Sequence, residues 1–144
     1  KGPVTNGSDD ATETIQNEEK VYSFEGGVGT FYYPDDIYND YLTVEREFDG
    51  TAQNVIDILY ELGNYSEKIT VNSYYVQGNT MYIDFGLSLI QAAHGGSAKE
   101  FFVILGTCNT LISCFKVKYV RFTVEGNDLV TAHADYTEPV PFKE

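Results

Sequence analysis

Tryptophan is missing from this chain, and its 144 residues include only two Cys, one Met and four Pro. Two cysteines are too few for a disulfide scaffold, so a hydrophobic core must carry the fold. A chain of this length forms one domain and buries about two-thirds of its unfolded surface. Positive charge is thin as well: nine Lys and Arg face 22 Asp and Glu, a formal net charge of −13. That balance excludes nucleic acid, whose phosphates would be repelled rather than neutralised. It disfavours an anionic membrane surface and suits a basic protein partner. No uninterrupted apolar run approaches the ~20 residues of a bilayer span. The chain opens Lys1-Gly2-Pro3 with no leader, so any membrane anchor is expected outside it. What the chain has in plenty is aromatic surface, 12 Tyr and 9 Phe, which must divide between a core and a contact face.

Residues 1–20, KGPVTNGSDDATETIQNEEK, hold no aromatic residue and few large aliphatics. They cannot bury enough apolar area to offset their ordering entropy, and read as a disordered acidic and polar tether. The globular domain is 21–144. Its first strand centres on Thr30 to Tyr33, with turn chemistry at Pro34-Asp35-Asp36. Residues 41–48 alternate, placing Leu42, Val44, Arg46 and Phe48 on one face; Arg46 interrupts it and should lie at a sheet end or pair with a carboxylate. A helix follows from Thr51, its N-cap, through Ala52, Val55, Ile56, Leu59 and Leu62, with Gly63 closing it. A hairpin turns at Gly78-Asn79, with Ile69, Val71, Ser73 and Tyr75 on one face and Met81, Ile83 and Phe85 on the returning strand.

The second helix is SAKEFFVILGTCNTLISCF, residues 97–115. Ser97 and Glu100 have the spacing of a capping box. Phe101, Ile104, Leu105, Cys108, Leu111, Ile112 and Phe115 form one apolar stripe, and Lys116 and Lys118 follow where positive charge suits the helix end. Phe102, Val103 and Cys114 lie off the stripe. Phe102 or Val103 should therefore stay partly exposed in a monomer, as an assembly face. The strand VRFTVEGN turns at Gly126-Asn127, LVTAHADY returns as a short strand, and EPVPFKE is irregular. The order ββαββαβ predicts a single-domain α+β fold, a mixed or antiparallel sheet packed by two helices.

Few residues invite chemistry. Cys108 and Cys114 lie ~9 Å apart along one helix and ~120° around it, too far to pair, and read as small hydrophobes. His94 sits in a Gly-rich loop, and His133 shares a strand with Asp135; neither has the ligand set of a zinc site. Asp35, Asp36 and Asp40 lack the Gly and the terminal Glu of a calcium loop and read as solvated acids. GGVGT and GGS lack a phosphate-loop signature. No metal, cofactor or catalytic residue is predicted. The same acidic loop carries Tyr32, Tyr33, Tyr38 and Tyr41, residue types that suit a protein or glycan contact. An alternative hydrolase reading would pair Asp35 with Glu45 or Glu47.

Together these motifs resemble the GerMN domain family of sporulation and germination proteins. FYYPDDIYNDYLTVEREFDGTAQNVIDILYELG is similar to that domain's opening, through Tyr32-Tyr33, Leu42 to Arg46 and Ile58-Leu59. Val76 to Phe85 resembles its strand–Gly-turn–strand element, Cys108 to Leu111 its helix core, and Val117 to Gly126 a later strand. One departure is GNYSEKI after the first helix, where the family often has Gly-Pro and Pro-x-Gly. The resemblance implies a non-catalytic α+β domain outside the bacterial cytoplasm, often on a membrane-anchored lipoprotein. It also implies a protein partner or a homo-oligomer, since the domain resembles ring-building motifs. Cell-wall glycan, held by the Tyr-rich loop, is the alternative ligand.

Overall fold

The computed structural model describes residues 18–144. The expected tether therefore lies, apart from its last three residues, outside the described residues. Two strands, β1 (Gly27–Pro34) and β2 (Tyr41–Phe48), pair antiparallel from Gly27↔Phe48 to Pro34↔Tyr41. Helix α1 (Ala52–Glu61) leads to β3 (Val71–Gln77) and β4 (Thr80–Phe85), and then come helices α2 (Ser88–Ala93) and α3 (Ser97–Phe115). The chain ends with β5 (Tyr119–Val124), β6 (Asn127–Val130), β7 (Asp135–Tyr136) and β8 (Val140–Pro141). The larger sheet runs β3-β4-β5-β6-β7, with β8 beside β5. Among the described strands only β4 and β5 are parallel, because α3 carries the chain back across the sheet between them.

Local chemistry starts and stops these elements largely as the residues predict. Thr51 accepts a hydrogen bond from the Asn54 N–H and caps α1, and Gly63 takes φ 94° after its end. Gly78-Asn79 closes the β3–β4 hairpin. Of the two places expected for Arg46, a sheet end or a carboxylate partner, the structure gives the second: it reaches Glu61 across 3.7 Å.

Elsewhere the structure corrects the sequence reading. A bulge between Val71 and Ser73 reverses the alternation of β3. Tyr74 and Val76 therefore join the core, whereas Ser73 and Tyr75, expected beside Val71, face outward. The loop before α3 contains α2, which buries Leu89, Ala92 and Ala93. Ser97 and Glu100 form no capping box: α3 begins after Gly96 with no side-chain cap, and Glu100 bonds elsewhere. The turn after β5 falls on Glu125-Gly126, one residue early, both with positive φ. The tail is not irregular throughout, since Val140 and Pro141 pair with Val120 and Tyr119.

The core explains α3. This helix packs against β1 and β2 as well as α1, α2, β4, β5 and β8. It is buried nearly all round, not along one stripe, and Val103 through Leu111 are all buried. Among the described residues, α3 is the one helix long and apolar enough to cross a membrane; here it is the covered centre of the domain.

Candidate functional site

One aromatic ridge forms where β1, β2 and the start of α3 meet. Ring centroids link Phe142 to Tyr32 at 5.4 Å, Tyr32 to Tyr41 at 6.2 Å, Tyr41 to Phe102 at 4.9 Å and Phe102 to Phe101 at 5.9 Å. The contacts are edge-to-face, the favourable geometry for aromatic quadrupoles. Of the predicted contact residues, Tyr32, Tyr41 and Phe102 are brought together, each half-buried. Tyr33 and Tyr38 are half-buried nearby and join no ring pair among the described residues; Tyr38 takes φ 53° in the turn. Val103 is 0% exposed, so it is corrected from contact face to core. Its neighbour Phe101, placed on the core stripe, is 46% exposed instead. The cause is that α3 is embedded on several sides, so its N-terminal turn, not an off-stripe line, emerges at the surface. Ile37, Leu42 and Phe142 are further exposed apolar side chains that the sequence did not single out. The signal available was adjacency, Phe101 beside Phe102 and Ile37 within the tyrosine loop.

Polar side chains of α3 hold the ridge in place. The Tyr32 N–H donates to Thr110 Oγ1 at 2.9 Å, and the Thr30 N–H donates to Ser113 Oγ at 2.8 Å. These bonds satisfy the edge of β1 that does not face β2. Gly106 permits the approach: a Cβ there would stand 2.9 Å from the Tyr32 carbonyl oxygen. Asn109 grips the C-terminal tail as a backbone would, donating to the Lys143 carbonyl at 2.7 Å and accepting its N–H at 2.9 Å. That grip sets Phe142 against Tyr32. Burial, then the proximity of Cys108 and Tyr136, pushes the Tyr41 hydroxyl above its ordinary range. The buried hydroxyl finds no hydrogen-bond partner among the described residues.

The other candidates take structural places. Asp35 Oδ1 accepts the N–H groups of Ile37 and Asn39, and Asp40 Oδ1 accepts that of Tyr41, so these acids shape the loop. Glu45 and Glu47 stand exposed on β2, without the shielding pocket that tunes a catalytic carboxyl. Burial pushes the thiols of Cys108 and Cys114 up to about 12, so neither is a ready nucleophile. His133 Nδ1 lies 3.0 Å from buried Glu100, which Thr131 also bonds; His133 pairs with α3 rather than with Asp135. Together with exposed His94 they line a small cavity of about 80 Å³.

A shallow concavity of about 350 Å³ lies on the outer face of the large sheet, lined by Ser73, Tyr75, Tyr82, Asp84, Arg121 and Thr123. Tyr75 and Tyr82 stack at 4.9 Å. Burial would raise the pKa of Asp84, but hydrogen bonds from Thr123, Asn72 and the Gly126 N–H outweigh it and hold it low.

Comparison with known proteins agrees with this architecture. The profile of the Germane family, described as sporulation and spore germination, matches residues 30–130. Among solved structures, a candidate lipoprotein from Clostridium perfringens is 14% identical; the match covers 81% of this chain and 88% of that one, with a TM-score of 0.51. The tandem GerMN domains of the sporulation protein GerM from Bacillus subtilis are 18% identical, covering 96% of this chain and 49% of that one, with a TM-score of 0.57. No curated protein sequence matches significantly. At these identities the solved structures speak for the fold, and the profile spans more than two-thirds of the chain. The chain belongs to the Germane family of sporulation and spore germination, with the α+β fold of GerMN domains.

Proposed function

We propose that this chain is a non-catalytic protein-binding module of the bacterial cell envelope, which works by assembly, with the aromatic ridge as its contact face. The observation that carries the reading is the ridge itself. Tyr32, Tyr41 and Phe102 are held rigid by edge-to-face packing, and Phe101 and Phe142 are left 46% and 40% exposed at its ends. Rigid, half-covered aromatics of this kind are the anchors of protein interfaces. Tyr33, Tyr38 and Ile37 extend the same neighbourhood. Family membership supports a role in sporulation or germination, and the lipoprotein and GerM likenesses support an extracytoplasmic site and a lipid anchor preceding the domain. Residues 1–20 would then be the tether between anchor and domain.

Light scattering over a concentration series, on wild type and on Phe101→Lys, tests the reading. An oligomer that grows with concentration and is dispersed by the substitution identifies a second copy as the partner. A monomer at every concentration directs the search to a different protein, through a photo-cross-linker at position 101. The absence of any cross-link from that position in the native envelope would overturn the assembly role of the ridge.

Glycan binding is the second reading, and one observation favours moving it from the tyrosine loop to the outer face of the large sheet. There Tyr75 and Tyr82 border a concavity with Asp84 and Arg121, offering both ring surface and hydrogen-bonding groups. Titration with soluble peptidoglycan fragments, followed by amide shifts at these residues, decides it.

A further inference from the structure

The small sheet has an open edge whose position follows from hydrogen bonds already described. Thr30 and Tyr32 donate their N–H groups to side chains of α3, away from β2. Gly29, Phe31 and Tyr33 must then be the β1 residues that bond β2, opposite Arg46, Val44 and Leu42. In an antiparallel ladder the intervening residues face the other way. The N–H and C=O groups of Thr43, Glu45 and Glu47 therefore point outward from β2, and among the described residues none of them has a partner. All three residues are exposed.

Chemistry along this edge is asymmetric. Glu45 and Glu47 share one face with Thr43. Leu42, at 47% exposure, and half-buried Val44 share the other with exposed Arg46, whose charge is paired with Glu61. We propose that β2 accepts an extended segment of a partner protein as an added strand, with Lys or Arg at alternate positions and apolar residues between them. The basic side chains would lie beside Glu45 and Glu47, and the apolar ones would cover Leu42 and Val44. A second copy of this chain is the poorer occupant. Antiparallel pairing of β2 with itself would set Glu against Glu, and like charges across a strand pair repel. The net charge of −13 adds a long-range attraction for the basic segment. This edge runs along β2 from Thr43 to Glu47, beyond the ridge residue Tyr41 at the start of the same strand, and its pairing rests on backbone groups rather than on the rings; it shares with the ridge reading the premise that the chain binds protein.

The probe is a capped heptapeptide, Lys-Val-Lys-Val-Lys-Val-Lys, titrated into the isotope-labelled chain at low and moderate salt. Amide hydrogen exchange is expected to slow at Thr43, Glu45 and Glu47, and not at Leu42, Val44 or Arg46, which already bond β1. Methylating the peptide nitrogens that face β2 should weaken binding by about tenfold or more, because it removes backbone bonds and leaves the charge. Glu45→Lys with Glu47→Lys should abolish the protection, and Phe102→Ala should leave it intact, so this proposal and the ridge reading fail separately. Equal binding by the methylated peptide, or shifts spread over the acidic loop and α1, would overturn the proposal in favour of loose electrostatic attraction. Self-association of wild type that slows the same three amides would overturn it in favour of a second copy.

Discussion

At the residue scale, glycine decides how closely α3 meets β1. Gly106 lies mid-helix, where glycine is unfavourable by about 1 kcal/mol relative to Ala on propensity alone. Packing reverses that preference here. An added methyl would meet the Tyr32 carbonyl oxygen at 2.9 Å and Asn64 Oδ1 at 3.2 Å, and the first of these is backbone that cannot rotate away. Gly106→Ala should therefore destabilise the domain by about 1–3 kcal/mol through overpacking. Gly27→Ala, whose Cβ would meet nothing within 4 Å, should change it by less than about 1 kcal/mol. Urea titration of both variants checks the contrast, and an undiminished Gly106→Ala midpoint would refute the close approach. The sequence shows that Gly106 is costly in a helix but not what offsets the cost, because Tyr32 is far away in the chain.

At the element scale, α3 shows where periodicity stops being informative. A helical stripe assumes one covered side, and α1 comes close to it, burying Ala52, Val55, Ile56 and Leu59, with Ile58 buried beside the stripe. Helix α3 is enclosed by two sheets and two helices, so the buried set runs round it and includes Thr107, Asn109 and Thr110. Asn109 and Thr110, off the apolar stripe, are the groups that satisfy backbone on the neighbouring elements. The ββαββαβ order, the Thr51 cap and the Gly78-Asn79 turn were legible because they are local. The bulge in β3, the short β8 and the exposure of Phe101 were not, because each depends on a partner distant in sequence. For the contact face, Tyr32, Tyr41 and Phe102 were readable as a list, but not as one ridge. Thr110→Val keeps the shape of the side chain and leaves the Tyr32 N–H unsatisfied, which should cost about 1–3 kcal/mol. Asn109→Ala should release the tail, and the Lys143 amide should exchange faster with little change at Val120. Equal protection of Lys143 in that variant would show that β8 alone holds the tail.

At the scale of the whole molecule, the buried thiols and phenols make stability depend on alkaline pH. Burial raises the Cys108 and Cys114 thiols from about 9 to about 12. It is also the leading cause of the upward shifts at Tyr41, Tyr65 and Tyr136, all from an ordinary value of 10.0. In each case the folded pKa exceeds the unfolded one, so the neutral form is favoured by folding. Stability is then level below the unfolded pKa and falls as pH rises from there toward the folded value. The decline should begin near pH 9, where unfolded thiols ionise, and steepen near pH 10 as unfolded phenols join them. Asp49 and Asp84 carry the opposite sign: their folded pKa values lie below 3.8, so their contribution is present above that pH and lost on acidification. Denaturant midpoints measured from pH 7 to 11 test the alkaline limb. Replacing both cysteines by Ala should lower the midpoint at neutral pH through lost packing, yet move the onset of the alkaline decline from about pH 9 to about pH 10. An onset that stays near pH 9 without the thiols would show that the limb is carried by another group.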